Sequence, residues 1–204
     1  MSLPVVADAD TLFAATTRGL LIYLDYEGLI RLHWSPLILD ELGRALVDTG
    51  RKKTAADAKA HEQRMRDALP NALVSVKAVQ AHFGRVAAAV RSAKDLHVAA
   101  CAYSLAAARA YPHAHAVALI TRNTRDFSKA GLARLGIALE KPDAFLTALF
   151  QRQPPAFAAA FHRFRTDLTS GPAAAELLAR LRRDGLPALV RALDAAQRAG
   201  VVTI

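Results

Sequence analysis

The sequence contains a single cysteine, Cys101, so it cannot form an internal disulfide. Because Cys101 lies in the apolar segment VAACAY, we expect it to be a core residue. No apolar run approaches the roughly 18 residues that a membrane-spanning helix needs. The N-terminal segment MSLPVVAD lacks the basic start of a signal peptide. We therefore expect a cytoplasmic protein without a membrane partner.

Clusters of cysteine and histidine that would bind zinc are also missing. The seven histidines are scattered along the chain. His113 and His115 are close together, but they lie in a predicted loop without other ligands nearby in the sequence. A zinc site is therefore not expected.

Acidic residues are outnumbered by basic ones, and the formal net charge is +9. Residues 51–94 contain ten Lys and Arg against three Asp and Glu, and residues 151–204 contain eight against four. Such a charge favours a polyanionic partner, nucleic acid first of all. A genome rich in G and C, which favours Arg and Ala everywhere, would explain the same composition.

The apolar pattern predicts an α/β fold. Short strands are predicted at residues 3–7, 29–35, 72–76 and 116–123, with GIALE as an edge strand. Because helical segments alternate with these strands, we expect a three-layer α/β/α fold with a central, mostly parallel sheet. The pattern after Pro155 is helical only. We therefore predict one domain over residues 1–150 and a C-terminal helical extension over residues 151–204.

The sequence predicts where two of the helices begin. The first helix is predicted over Thr11–Tyr26, directly after VVADAD. A later helix is predicted to begin at Ser35-Pro36, because serine is a good N-cap and proline suits the first helical position.

Acidic residues follow strand ends or begin helices at four places: Asp8, Glu41, Asp95 and Asp126. In parallel α/β folds, ligands bind beyond the carboxyl ends of the strands, so these acids can converge. Glu41 is preferred to its neighbour Asp40, because it flanks the apolar stripe of its helix. Carboxylates gathered at one edge repel one another unless a cation neutralises them. Oxygen ligands favour Mg²⁺ or Mn²⁺.

Each position also has an ordinary structural explanation. Asp10, two residues after Asp8, would serve as the N-cap of a helix that starts at Thr11. Glu41 would be a solvated surface acid. Asp95, at the start of its helix, would interact favourably with the helix dipole. The segment 123–126 is also a common turn sequence.

Taken in order, the segments VVADADTLF, SPLILDEL, DLHVAACA, LITRNTRDF and GIALEKPDAFL resemble the PIN-domain ribonucleases. The closest likeness is to the VapC toxins of bacterial toxin–antitoxin pairs, and it covers roughly residues 3–150. The helices after Pro155 also resemble the C-terminal extension of some longer VapC-like proteins.

The resemblance implies catalytic roles for Asp8, Glu41, Asp95 and Asp126, with metal held by Asp8, Asp95 and Asp126. Many family members carry the last acid where this sequence has Asn123, whereas others read T-x-N-x-x-D-F, which places it at Asp126. The family also more often has asparagine or serine at position 10. Residues implied to support the ligands are Asp10, Thr121 and Asn123.

The implied activity is Mg²⁺-dependent hydrolysis of RNA phosphodiester bonds, with Mn²⁺ as an alternative metal. Basic residues expected to follow the RNA backbone are Arg51, Lys52, Lys53, Arg91 and Lys94. The implied partners are a cognate antitoxin and a second copy of the chain in a homodimer. The helical extension is expected to pack on the PIN-like core or to extend the dimer or antitoxin surface.

Two other functions are compatible with the sequence. A haloacid-dehalogenase-like phosphatase also begins with a strand followed by D-x-D, and Thr121 would be its later strand-end residue. Here, however, Leu12 stands where that motif has Thr or Val, and a later acidic pair is missing. The second alternative is a non-catalytic PIN-like protein that binds RNA or regulates a partner, since Asn123 replaces a family acid.

Overall fold

The computed structural model describes residues 2–204. In this range the strands are β1 (Leu3–Ala7), β2 (Ile30–His33), β3 (Val117–Ile120) and β4 (Ile137–Glu140). They form one sheet in the order β2-β1-β3-β4, in which β3 runs parallel to β1 and to β4. The predicted α/β class is confirmed, with C-terminal helices and a sheet consistent with a PIN-like three-layer fold.

Helices make up most of the remaining chain. The α-helices of residues 2–204 are α1 (Ala9–Phe13), α2 (Ala15–Tyr26), α3 (Pro36–Asp48), α4 (Ala55–Ala68), α5 (Val76–Gln80), α6 (Phe83–Val86), α7 (Leu96–Ala107), α8 (Lys129–Arg134), α9 (Pro142–Arg152), α10 (Pro154–Asp167), α11 (Ala174–Arg183) and α12 (Pro187–Arg198). Short 3₁₀ turns lie at Ala87–Ala89, Ala93–Asp95 and Thr124–Asp126. None of these helices has both the length and the apolar character that a membrane span requires.

The start of the first helix differs from the prediction. A single helix over Thr11–Tyr26 is wrong, because α1 begins at Ala9 and Ala14 interrupts the helix with an extended backbone (φ −73°, ψ 107°). The start at Ser35-Pro36 is confirmed. The Ser35 hydroxyl accepts a hydrogen bond from the Ile38 backbone N–H at 3.3 Å.

The predicted strand at residues 72–76 is also wrong. In this segment only Leu73 forms a β-bridge, with Trp34. The next residues enter a helix, since the Ser75 hydroxyl accepts the Ala78 N–H at 3.2 Å and α5 starts directly afterwards. The prediction of an edge strand at GIALE is confirmed, because β4 lies at one end of the sheet.

The chain divides into two compact units. The sheet unit consists of Leu3–Phe13 and Arg31–Glu140, and the helical unit consists of Ser2, Ala14–Ile30 and Lys141–Ile204. The helical unit thus combines α2 with α9 to α12, and α2 lies within residues 1–150. The predicted domain boundary at residue 150 stays a prediction.

The sheet unit is built on fully buried apolar strands. Val5, Val6 and Ala7 of β1 are inaccessible to solvent, and so are Leu119 and Ile120 of β3. Helix α7 packs against β1 and β3. It contributes Cys101, which is completely buried as predicted, and burial raises the pKa of its thiol to about 12.

The helical unit has an aromatic and leucine core of its own. Helix α10 packs against α2 and α9, with Phe157 and Phe161 inaccessible to solvent. Asp143 of α9 accepts the backbone N–H groups of Ala188 and Leu189, at 3.0 and 2.9 Å, at the start of α12. This carboxylate satisfies helix N–H groups that would otherwise lack partners.

Candidate active site

The carboxyl ends of β1 and β3 bring two of the predicted site residues together. Ala7 pairs with Ile120 in the parallel register, and the next residue of each strand is polar. These residues are Asp8 and Thr121, and Thr121 Oγ1 donates a hydrogen bond of 2.8 Å to Asp8 Oδ2. Asp8 Oδ1 accepts the Ala9 backbone N–H at 2.7 Å. Both carboxylate oxygens of Asp8 are therefore fixed by the protein.

Asp8 is a buried carboxyl group with an unusual proton affinity. It is only 5% exposed. Burial and the charge of Asp10 raise its pKa from 3.8 to about 7, against the opposing effect of its hydrogen bonds to Thr121 and Ala9. The charge of Glu41 contributes a further, smaller increase. A carboxyl group in these surroundings ionises readily only when a positive charge comes close.

Asp10 accepts hydrogen bonds from the loop after β3 and does not cap a helix. Its Oδ2 accepts the backbone N–H groups of Arg122 and Asn123, at 3.0 and 3.1 Å. The interpretation of Asp10 as an N-cap is wrong, because it lies inside α1. Asp10 instead holds the segment that carries Thr121 and Asn123, two residues predicted to support the ligands.

Glu41 is paired with a histidine that sequence reasoning missed. Asp40 is exposed, whereas Glu41 is half-buried and its Oε2 lies 3.1 Å from His97 Nε2. The other ring nitrogen of His97 lies 2.7 Å from the Lys94 carbonyl oxygen. The close contact with His97 lowers the pKa of Glu41, although burial opposes it. The one sequence signal for His97 is its position two residues after Asp95 in a nearly uncharged segment.

Asp95 ends the 3₁₀ turn that precedes α7 and is half-buried. Burial and the charge of Asp126 raise its pKa, and Glu41 raises it further, while a hydrogen bond from Ser92 opposes the change. Glu41 also acts on Asp8. Repulsion between charges therefore links Glu41 to Asp8 and to Asp95, and Asp126 to Asp95. We call Asp8, Glu41, Asp95 and Asp126 the acidic site.

The segment that carries Asp126 is tied to the segment that precedes Asp95. The side-chain amide of Asn123 donates a hydrogen bond to Asp126 Oδ2. The backbone N–H of Arg91 donates to the Asp126 carbonyl oxygen at 2.7 Å, and its guanidinium donates to the Arg125 carbonyl oxygen at 3.1 Å. Asn123 thus positions the carboxylate of Asp126, and the two positions considered for the last acid are in direct contact.

The basic residues predicted to contact RNA differ in their surroundings. The Arg51 guanidinium lies 4.0 Å from the centre of the Phe13 ring and donates to the Phe13 carbonyl oxygen at 2.9 Å. Arg51 therefore has a structural contact of its own, as Arg91 has. Lys52 is half-buried, and Lys53 and Lys94 are exposed. Their contact with RNA stays a prediction.

The donor set of the acidic site fits a hard divalent cation. Every candidate ligand is a carboxylate oxygen, which Mg²⁺ and Mn²⁺ prefer over sulfur and imidazole. Among residues 2–204, no three Asp, Glu, His or Cys side chains stand together as a preformed metal site. The fit therefore rests on the chemistry of the donors and on the negative charges of Asp10 and Glu41, which act on the buried Asp8.

The C-terminal helices match a known family. Residues 142–195 match the family model of the VapC50 C-terminal domain. This match relates the chain to VapC-family toxins. It spans α9 to most of α12, so it contains no residue of the acidic site, and it agrees with the predicted likeness of the helical extension. No curated protein and no solved structure gives a significant match to the chain.

The match covers 54 of the 204 residues and concerns the C-terminal helices alone. The PIN-like assignment of the sheet unit rests on the fold and on the resemblance of its segments, because the matched residues lie outside that unit.

Proposed function

We propose that this protein is a divalent-metal-dependent endoribonuclease and the toxin of a toxin–antitoxin pair. The observation that carries the proposal is the acidic site itself. Four carboxylates from four separate segments are linked by pairwise repulsion, and burial and like charge raise the pKa of Asp8 to about 7. A structural role alone gives no reason to place like-charged carboxylates near one another at one sheet edge. The relationship of residues 142–195 to VapC toxins supports the same function.

Asp8, Asp95 and Asp126 are the residues that would hold Mg²⁺, or Mn²⁺ in its place. When bound, such a cation supplies charge neutralisation for the scissile phosphate and lowers the pKa of a bound water.

Hydrogen bonds within the protein hold the carboxylates that would bind the cation. Thr121 and the Ala9 N–H fix the carboxylate of Asp8, and Asn123 fixes the carboxylate of Asp126. Glu41 is the group suited to orient the attacking water, because the interaction with His97 lowers its pKa and keeps it an ionised hydrogen-bond acceptor.

The basic residues suggest how RNA would be contacted, and the resemblance to VapC toxins suggests the protein partners. The exposed lysines Lys53 and Lys94 are available for the RNA backbone, which implies binding that weakens with salt. The antitoxin would inhibit the enzyme by covering the acidic site, where a basic side chain would replace the cation. A homodimer is the expected assembly.

The phosphatase alternative is disfavoured by the contacts of Asp10. In that mechanism the second aspartate of D-x-D must exchange a proton with the substrate. Here the carboxylate of Asp10 already accepts hydrogen bonds from the backbone N–H groups of Arg122 and Asn123, in the loop after β3.

The proposal is tested by incubating the purified protein with single-stranded RNA, with Mg²⁺ or with a chelator, and by analysing the product ends. Attack by water predicts cleavage that requires Mg²⁺ and leaves no 2′,3′-cyclic phosphate. Asp8→Asn and Asp95→Asn should abolish cleavage. Asp48→Asn is the matched control, because Asp48 is an exposed acid at the end of α3, the helix that carries Glu41. Binding of RNA without cleavage under any divalent metal would favour the non-catalytic alternative.

A further inference from the structure

A groove borders the acidic site beside Glu41 and His97. Its volume is about 640 Å³, which lies within the range of roughly 300–1,000 Å³ typical of small-ligand sites. Residues of α3, α5, α6 and the start of α7 line it, and all of them belong to the sheet unit. Glu41 lines the groove and is also part of the acidic site, and His97 lines the groove and contacts Glu41. The groove and the acidic site are therefore continuous at Glu41.

The groove contains an accessible aromatic ring. Phe83, the first residue of α6, lines the groove and is half-buried, whereas most of the larger apolar side chains of the sheet unit are fully buried. The groove also includes the apolar side chain of Leu37. Aromatic rings that line a groove are the element on which proteins stack nucleobases from single strands.

The charges around the ring are balanced. Asp40 and Glu41 line the groove together with Arg44 and Lys94. A site for phosphate alone would be dominated by positive charge, whereas this lining suits a neutral, flat group with hydrogen-bonding edges. Gln80, which is exposed at the groove, offers both a donor and an acceptor to such an edge.

We propose that this groove binds a nucleobase next to the scissile phosphate, stacked on Phe83. The inference rests on the proposed ribonuclease function and says where this protein holds its substrate. Arg44 and Lys94 are exposed at the groove and are placed to contact the phosphates on either side of the bound base. A duplex keeps its bases paired and stacked on each other, so it cannot offer one to Phe83.

The test measures RNA binding separately from cleavage. The full-length Asp8→Asn protein, with chelator present, is titrated into a short fluorescent single-stranded RNA of mixed sequence. Adding Phe83→Ala should weaken binding by about 10-fold, the loss expected when one stacked base is released. Phe83→Leu keeps an apolar side chain but loses the ring, so it should weaken binding similarly, whereas Phe83→Tyr should bind like the parent. Unlabelled duplex RNA should compete poorly.

The matched control is Tyr26→Ala, which removes an exposed aromatic residue that does not line the groove. Equal affinity of the Phe83→Ala and parent proteins would overturn the inference, and so would equal losses in Phe83→Ala and Tyr26→Ala. Unchanged RNA binding together with lost binding of the antitoxin would also overturn it and assign the groove to a protein partner. RNA binding that depends on Phe83, without cleavage by the wild-type protein in Mg²⁺, would contradict the ribonuclease function and leave the base-binding groove standing.

Discussion

Thr121 and Asp8 form the central contact of the acidic site. The Thr121 hydroxyl donates to Asp8 Oδ2 at 2.8 Å and accepts the Asn123 backbone N–H at 3.1 Å. Both side chains are buried, and they come from positions 113 residues apart in the sequence. One hydroxyl therefore orients the buried carboxylate and connects it to the loop that leads to Asp126.

Thr121→Val should impair activity more than it alters the fold. The valine fills nearly the same volume but removes the hydrogen bond that lowers the pKa of Asp8, so the carboxyl group becomes harder to ionise. We expect cleavage to fall by about 10- to 100-fold, the range typical of residues that orient metal ligands. The loss should be smaller at higher pH, which single-turnover rates at several pH values will show.

Thr121→Ser is the matched control, because it keeps the hydroxyl. It should retain most of the wild-type rate and a similar pH profile. If the serine and valine variants lose activity equally, the hydroxyl does not act through Asp8.

The stability of the protein should depend on pH through Asp8. Because the pKa of Asp8 is raised from 3.8 to about 7 on folding, the folded state binds more protons than the unfolded state between these pH values. The contribution of Asp8 to the free energy of unfolding therefore falls as pH rises from about 4 to about 7, by on the order of 4 kcal/mol. Urea denaturation of wild-type and Asp8→Asn proteins with chelator measures this contribution as their difference.

Asp8→Asn should be the more stable of the two proteins above pH 7, because asparagine carries no charge to bury. Below pH 4 the difference should shrink. If the free energies of unfolding of the two proteins change with pH in parallel, Asp8 ionises normally and repulsion between the carboxylates does not raise its pKa.

The sequence predicts the backbone that positions the acids better than it predicts their contacts. Strands β1 and β3 are recognisable because their apolar runs are continuous, and a fully buried parallel strand requires such a run. Residues 72–76 also look like a strand. Ser75 nevertheless caps α5 there, and local capping of the helix outweighs the strand tendency of its valines.

The roles of Asp10 and His97 could not be predicted for a different reason. Asp10 contacts the backbone of Arg122 and Asn123, more than a hundred residues further along the chain. His97 meets Glu41 only after α3 and α7 have packed together. Neither contact leaves a local pattern, so a single sequence shows the acids themselves but not the groups that hold them.

Gly19 should be intolerant of even the smallest side chain. A Cβ atom at this position of α2 would overlap the ring of Phe164 in α10, which is only 5% exposed. Gly19→Ala should lower the free energy of unfolding by about 1–3 kcal/mol, because the ring has to move out of a packed interior. Thermal unfolding followed by circular dichroism measures the effect.

Gly84→Ala provides the comparison, since a Cβ atom there meets nothing within 4 Å. It should leave stability unchanged or raise it by about 0.4–1 kcal/mol. Equal stability of the two alanine variants would show that α2 and α10 do not pack closely at Gly19.

The proposed role of Asp8 as the anchor of a divalent cation used to cleave RNA is tested by a Mg²⁺ titration of single-turnover cleavage. We predict that the wild-type rate rises with Mg²⁺ to a plateau, and that Asp8→Asn lowers this plateau by at least about 100-fold, beyond the loss typical for residues that only orient ligands. Asp48→Asn should follow the wild-type curve, because Asp48 is exposed and does not line the groove. Cleavage that is independent of Mg²⁺, or an Asp8→Asn variant as active as the wild type, would contradict this role of Asp8.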